Sequence, residues 1–272
     1  MFNLDLYRVC YRKRIWAIIP ILFICCFVAI QDISFGDGGE IPLDVRHWFP
    51  LNSAWNMWQP FSNGVPATIL GWLSFVMVAL PASDLFYEDQ KSRLAVPLRT
   101  VKRQTKITGS HYIINFLVGF SVLLLLGMVQ NLIIFTRIPM IPISEHYIPP
   151  ASGQNIFSLF FLKQPFLYLI FALLRCGLFG GILACASLSI NYWLKGSYAG
   201  LFIPFFVIQV FDFLWNRLAR LLQLPIEWFA QLSIRFPYGV VALNTMAKIE
   251  LGVCVFFIFA TYLHACRNRD VL

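Results

Sequence analysis

The sequence predicts an all-α membrane protein with six transmembrane helices, an amphipathic amino-terminal interfacial helix and a broken outer helix before the last span. The chain is 59% hydrophobic and only 12% charged, whereas a soluble domain carries about 25% charged residues. Its apolar residues form continuous runs rather than the ten-residue alternating segments of a β-barrel. At about 20 residues per span, the 272 residues accommodate six helices in a single transmembrane domain, 1–272.

The amino-terminal segment, residues 2–14, is amphipathic. Its apolar face carries Phe2, Leu6, Val9 and Cys10, and its charged face carries Asp5, Arg8 and Arg12. Spacings of three and four residues place each set on one side of a helix. This pattern predicts a helix that lies in the inner membrane interface, with an ordinary basic flank that only sets the topology as the alternative.

Six apolar runs follow this segment. The first, at about 15–30, has basic residues before it but no small-residue cleavage site after it. It is therefore interpreted as an uncleaved membrane anchor rather than a signal peptide. The other spans are predicted at 65–85, 112–136, 165–190, 198–214 and 249–265.

A charged loop, residues 84–111, joins the second and third spans. Its basic residues are Lys91, Arg93, Arg99, Lys102, Arg103 and Lys106, and the acidic pair Glu88 and Asp89 follows the second span. A loop of this size and charge is expected to contact a partner on the cytoplasmic side. The alternative is that it only sets the topology and meets anionic lipid.

The distribution of basic residues predicts the orientation. With both termini cytoplasmic, thirteen Lys and Arg residues fall in inner segments and seven in outer segments. The first outer loop, 31–64, adds four acidic residues against the single Arg46. The positive-inside rule therefore predicts a multi-pass protein of the cell membrane with both termini in the cytoplasm, although the last outer loop carries four basic residues.

The fourth span contains a stripe of small residues. Gly177, Gly181, Cys185 and Ser189 recur every four positions, a spacing that lets another helix backbone approach closely. Arg175 lies two positions before the stripe, about 200° around the helix and roughly 15 Å from the outer end. This arginine is expected to face a translocation path or a subunit seam, or else to be a structural arginine that bonds a carbonyl or a carboxylate such as Asp212.

The segment from Trp215 to Lys248 has a broken helical pattern. Leucines and aromatics fall on one side, charged residues fall elsewhere, and Pro225 interrupts the pattern near its middle. It predicts two short helices that dip into the outer leaflet before the last span.

Motifs for catalysis and ligand binding are absent from the sequence. It has no GxxxxGK[ST] phosphate loop, no HExxH and no paired carboxylates within the predicted spans. We therefore expect no enzyme activity and no cofactor in this chain. No Cys or His residues lie at a usable ligand spacing, so no metal site is expected. Most of the basic residues behind the net charge of +8 lie in the predicted inner segments, where the positive-inside rule expects them. The charge is thus explained by the topology, and no nucleic-acid partner is expected.

Taken together, the layout of the chain resembles the ABC-2-type permeases, which are the membrane subunits of ATP-binding-cassette exporters. The features that carry the resemblance are the amphipathic amino terminus, the six spans, the charged loop and the broken outer helix. Within the loop, Glu88–Asp89, the turn at Lys91–Ser92, the stretch Leu94–Leu98, Arg103 and Gly109 match the order of the family's loop. The chain departs from the family pattern at Pro97, which comes early, and at Ser110, which stands where the family has lysine.

The resemblance implies a permease subunit that forms the translocation path with a second permease subunit. Separate ABC ATPase chains, which bind ATP and Mg, would drive it. The loop residues implied to couple the permease to the ATPase are Glu88, Asp89, Arg93, Arg99 and Arg103. Homodimer and heterodimer both remain open, and so does the substrate.

Two other classes of function are considered. A stand-alone membrane immunity, assembly or scaffold protein would also lack a phosphate loop. A secondary carrier would require intramembrane carboxylates and internal repeats, and the sequence pattern shows neither within the predicted spans.

Overall fold

The computed structural model describes four continuous stretches, 104–137, 164–194, 199–225 and 245–267, together with 228–229. It also describes 76–81, 83 and 85 near the end of the second predicted span, and positions 7, 9, 11, 16, 18–20, 23, 24 and 27. Within these residues all regular structure is helical, and no strand occurs. The four long helices are α1 (Gln104–Arg137), α2 (Pro165–Leu194), α3 (Ala199–Leu221) and α4 (Thr245–Arg267).

All four helices are long and apolar enough to cross a membrane, judged by length and composition. They coincide with the third to sixth predicted spans, which fits a multi-pass membrane protein. Most of the first two predicted spans lies outside the described residues, although 76–79 within the second is helical.

The first correction concerns the start of the third span, which was predicted at residue 112. Helix α1 begins at Gln104, so the last eight residues of the predicted loop 84–111 belong to the helix. Lys106 is the one charged residue among them and is exposed, while Ile107, Thr108 and His111 are buried. These turns therefore have a buried face of their own, and packing extends the helix beyond the apolar run.

Helices α1 and α2 pack against each other in opposite directions. Contacts join Asn115 to Ala184, Gly119 to Gly180, Leu123 to Cys176 and Gly127 to Leu173. As the residue number rises on α1, it falls on α2, which is the mark of antiparallel helices. Helix α2 is the central element, since 56% of its most apolar stretch is buried, against 17% for that of α4.

Helix α3 packs against α2, and α4 packs against both α2 and α1. Their remaining surfaces are exposed and rich in phenylalanine, for example Phe206 and Phe213 on α3 and Phe256 and Phe259 on α4. The start of α1 and the carboxyl ends of α2 and α4 lie together, and α3 begins after a connection of four residues. We call this end of the bundle the loop end, because the predicted charged loop leads into α1 there.

The second correction concerns the broken outer helix, whose first half was predicted to be a separate short helix from Trp215. Trp215 instead lies within α3, which continues to Leu221. The helix then closes with two hydrogen bonds, from the Leu224 amide to the Ala219 carbonyl (2.9 Å) and from the Gln223 amide to the Arg220 carbonyl (3.2 Å). This pair of bonds is a Schellman motif. The second half of the predicted segment lies largely outside the described residues.

The residue after the helix end has the backbone conformation that this motif requires. Gln223 has φ of 52° and is the one non-glycine residue with positive φ in the described part of the chain. Pro225 follows two positions later, where a proline cannot continue the helix. The chain then returns towards α3, because the Trp215 indole Nε1 donates to the Trp228 carbonyl at 2.6 Å.

Candidate functional site

The most developed interior of the described structure lies at the loop end. A buried cluster joins side chains from five parts of the chain: Val9, Leu85, Tyr112, Ile114, Cys185, Leu188, Tyr192 and Ala265. Phe116, Val118, Ile258 and Tyr262 pack around this cluster. We call the set the loop-end cluster. It links the amino-terminal segment and the end of the second predicted span to α1, α2 and α4.

Tyr112 is the centre of the cluster. Its hydroxyl lies 2.8 Å from the Ser189 hydroxyl on α2, and Ser189 also donates to the Cys185 carbonyl one turn earlier (2.9 Å). The Tyr112 ring meets the Tyr262 ring of α4 edge to face, with centroids 5.7 Å apart. Tyr112, in the third turn of α1, thus contacts both α2 and α4.

A second group of contacts holds α2 to α4 at the same end. The Tyr192 hydroxyl lies 3.3 Å from Nδ1 of His264, and the Trp193 ring lies against the His264 ring with centroids 4.7 Å apart. The Trp193 indole Nε1 donates to the Thr261 hydroxyl at 3.1 Å. These polar contacts between helices are expected to resist separation of α2 and α4, because side-chain hydrogen bonds stabilise helix association in membranes.

The amino-terminal segment is attached to this end through Val9. Tyr7 and Val9 are helical, Val9 is fully buried in the loop-end cluster, and Tyr7 and Tyr11 are exposed. Val9 belongs to the predicted apolar face. The other residues of that face, and the predicted interfacial placement, lie outside the described residues.

The end of the second predicted span is attached through α2. The Asn191 side-chain amide donates to the Ser83 carbonyl at 2.7 Å, and Leu85 is fully buried in the cluster. The predicted coupling residues come directly after this point, but Glu88, Asp89, Arg93, Arg99 and Arg103 all lie outside the described residues.

The predicted small-residue stripe of α2 lies against a row of aromatic side chains on α1. A Cβ atom at Gly177 would lie 2.8 Å from the Phe120 ring, and one at Gly181 would lie 2.5 Å from the Phe116 ring. Cys185 and Ser189, the other two stripe residues, are buried and both contact Tyr112. Residues 112, 116 and 120 recur every four positions, so a ridge on α1 fills the groove that the stripe forms.

Arg175 lies on the other side of α2 and is partly buried. Tyr168, seven residues earlier on the same helix face, is 2% exposed and lies within electrostatic range of the guanidinium group. The structure therefore does not bring Arg175 together with the stripe.

Two carboxylates are buried in the described helices, and only one of them, Asp212, was named from the sequence, as a possible partner of Arg175. Asp212 on α3 is 5% exposed and Glu250 on α4 is 8% exposed, and both lie within helices that could cross a membrane. The interpretation that the spans lack carboxylates is therefore wrong. The predicted fifth and sixth spans ended at residue 214 and began at residue 249, which placed both acids at span edges.

No protein-family model, curated protein or solved structure matches this chain. Within the described residues, tyrosine, serine, histidine and tryptophan side chains at the loop end form hydrogen bonds and ring contacts between helices.

Proposed function

We propose that this chain is the permease subunit of an ABC exporter, which forms a translocation path with a second permease subunit and is driven by separate ATPase chains. The loop-end cluster is the observation that supports the proposal. A coupling loop must transmit a displacement into several helices at once, and this cluster joins three helices and two further segments at the place where the charged loop enters α1.

Helix α1 has the properties of a lever. Its 34 residues contain no proline and at 1.5 Å per residue span about 51 Å, whereas the hydrocarbon core is about 30 Å thick. The helix is therefore long enough to extend out of the membrane towards the loop. A force on the loop would act on Tyr112 within the first three turns and through it on α2 and α4.

The exposed surfaces of α3 and α4 leave room for lipid and for a second permease subunit. Their apolar side chains point away from α2 along most of each helix. ATP-driven closure of the partner ATPases would tilt the bundle as a body, which is a known way to convert a local displacement into a change of access.

The proposal is tested by reversing the charges of the loop and isolating the complex. Glu88→Lys with Asp89→Lys, or Arg99→Glu with Arg103→Glu, should reduce co-purification of a nucleotide-binding protein or separate its ATP hydrolysis from transport. Lys248→Glu is the matched control, because Lys248 is an exposed cation at the opposite end of α4 and should leave both unchanged.

If no nucleotide-binding protein co-purifies in mild detergent and the lone chain retains its full activity, the stand-alone interaction protein becomes the better description.

A further inference from the structure

Three polar side chains share one face of α1 near the loop end. Thr108, His111 and Asn115 are spaced by three and four residues, which places them on one side of the helix. Each is 0% exposed. Polar side chains buried within a membrane helix bundle commonly line a polar cavity or a pathway for a ligand.

Two of these side chains have unused hydrogen-bonding capacity. The Asn115 side-chain amide donates to the Ala184 carbonyl of α2. Within the described residues nothing donates to Oδ1 of Asn115, and Oγ1 of Thr108 has no hydrogen-bond partner there. Fully buried polar atoms in native proteins nearly always have a partner, which is often ordered water or a ligand.

The antiparallel packing of α1 and α2 locates this face in the bundle. Asn115 lies opposite Ala184, and the same register places Thr108 level with Asn191, whose amide binds the Ser83 carbonyl. The polar face thus lies where α1, α2 and the end of the second predicted span meet.

We propose that the face formed by Thr108, His111 and Asn115 is a binding site for a hydrogen-bond donor, either ordered water or a protonated amine. Oδ1 of Asn115 selects this class of ligand, because an amide carbonyl oxygen can only accept, and the Thr108 hydroxyl can accept from the same ligand although it can also donate. The site goes beyond the proposed function and does not depend on it.

The test uses thiol reactivity in the full-length protein in its membrane. Thr108→Cys reports on the polar face, and Ile107→Cys is the matched control, since Ile107 is equally deep and is also buried. Each variant is treated with methanethiosulfonate reagents that carry an aminoethyl or a methyl group. Peptide mass spectrometry follows the new thiol, so the seven native cysteines remain in place.

The expected result is modification of Thr108→Cys about tenfold or more faster than Ile107→Cys, because a thiol in a dry apolar site stays protonated and inert. Adding Asn115→Leu to Thr108→Cys should remove most of this difference. If the methyl and aminoethyl reagents react equally, water is the natural donor. If the aminoethyl reagent reacts faster and Asn115→Leu abolishes that preference, the site takes an amine.

Two results would overturn the inference. One is that Thr108→Cys is as unreactive as Ile107→Cys with every reagent. The other is that Asn115→Leu leaves every rate unchanged, which would mean that Asn115 contributes nothing to the site.

Discussion

Individual glycines determine how closely the two central helices approach. A Cβ atom at Gly180 would lie 2.5 Å from the Gly119 carbonyl oxygen, and a Cβ at Gly119 would lie equally close to the Gly180 carbonyl. Both obstacles are backbone atoms, which cannot move aside as a side chain can. Gly252 on α4 has nothing within 4 Å of the corresponding position, so the same residue type has no packing role there.

This contrast gives a matched pair of substitutions. Gly180→Ala should lower the free energy of unfolding by about 1–3 kcal/mol, the usual cost of overpacking. Gly252→Ala should leave it unchanged or raise it by up to about 1 kcal/mol, because alanine favours helix more than glycine. Thermal unfolding in detergent measures both. Equal effects of the two substitutions would contradict the close contact between α1 and α2.

Arg175 gives a second prediction at this scale. Arg175→Leu removes a charge that costs at least about 2.5 kcal/mol at a helix centre on insertion scales, so expression and partner binding should persist. Transport or substrate-stimulated ATP hydrolysis should fall if the arginine faces the translocation path or the subunit seam. Arg175→Lys, which keeps the charge, should retain part of that activity. Collapse of the Arg175→Leu protein would instead assign the side chain a structural role.

At the scale of elements, the sequence predicted the position of each described helix well and its ends less well. Continuous apolar runs are enough to locate α1 to α4, because membrane spans need about 20 apolar residues. The ends depend on local hydrogen bonding and tertiary packing. Burial of Thr108 and His111 against other parts of the chain extends α1, and the positive φ of Gln223 ends α3. A hydropathy pattern detects neither effect.

The helix end at Gln223 can be tested directly. Gln223→Gly should leave the free energy of unfolding within about 1 kcal/mol of its starting value, since glycine tolerates positive φ but has greater entropy when unfolded. Gln223→Val should lower it by about 1–2 kcal/mol, because a β-branched side chain is strained there. Leu222→Val, at the preceding position, controls for the β-branched side chain itself. If all three proteins unfold at the same temperature, the Schellman motif is not the feature that ends α3.

The same distinction applies to the candidate site. The stripe of Gly177, Gly181, Cys185 and Ser189 was found from its spacing alone. The sequence could not show which helix lies against the stripe, because helix pairing depends on contacts distant in the chain. Tyr112 was therefore placed at the edge of a span, whereas the structure puts it at the centre of the loop-end cluster.

At the scale of the whole molecule, the partners that the loop end can contact depend on the side of the membrane on which it lies. The excess of basic residues in the inner segments predicts that this end is cytoplasmic. The prediction rests on the segments outside the described helices, because those helices carry exposed cations at both ends: Lys106 and Arg267 at the loop end, and Arg217 and Lys248 at the other.

Orientation is measured by thiol labelling of single cysteines placed in a variant without native cysteines. Ser92→Cys lies in the charged loop and Gly38→Cys in the first outer segment of the predicted topology. In intact cells, a membrane-impermeant maleimide should label only Gly38→Cys, and after permeabilisation it should label both. Labelling of Ser92→Cys from outside would place the loop end on the external face. An ATPase in the cytoplasm could then not contact the charged loop, and the loop-end cluster would need a different explanation.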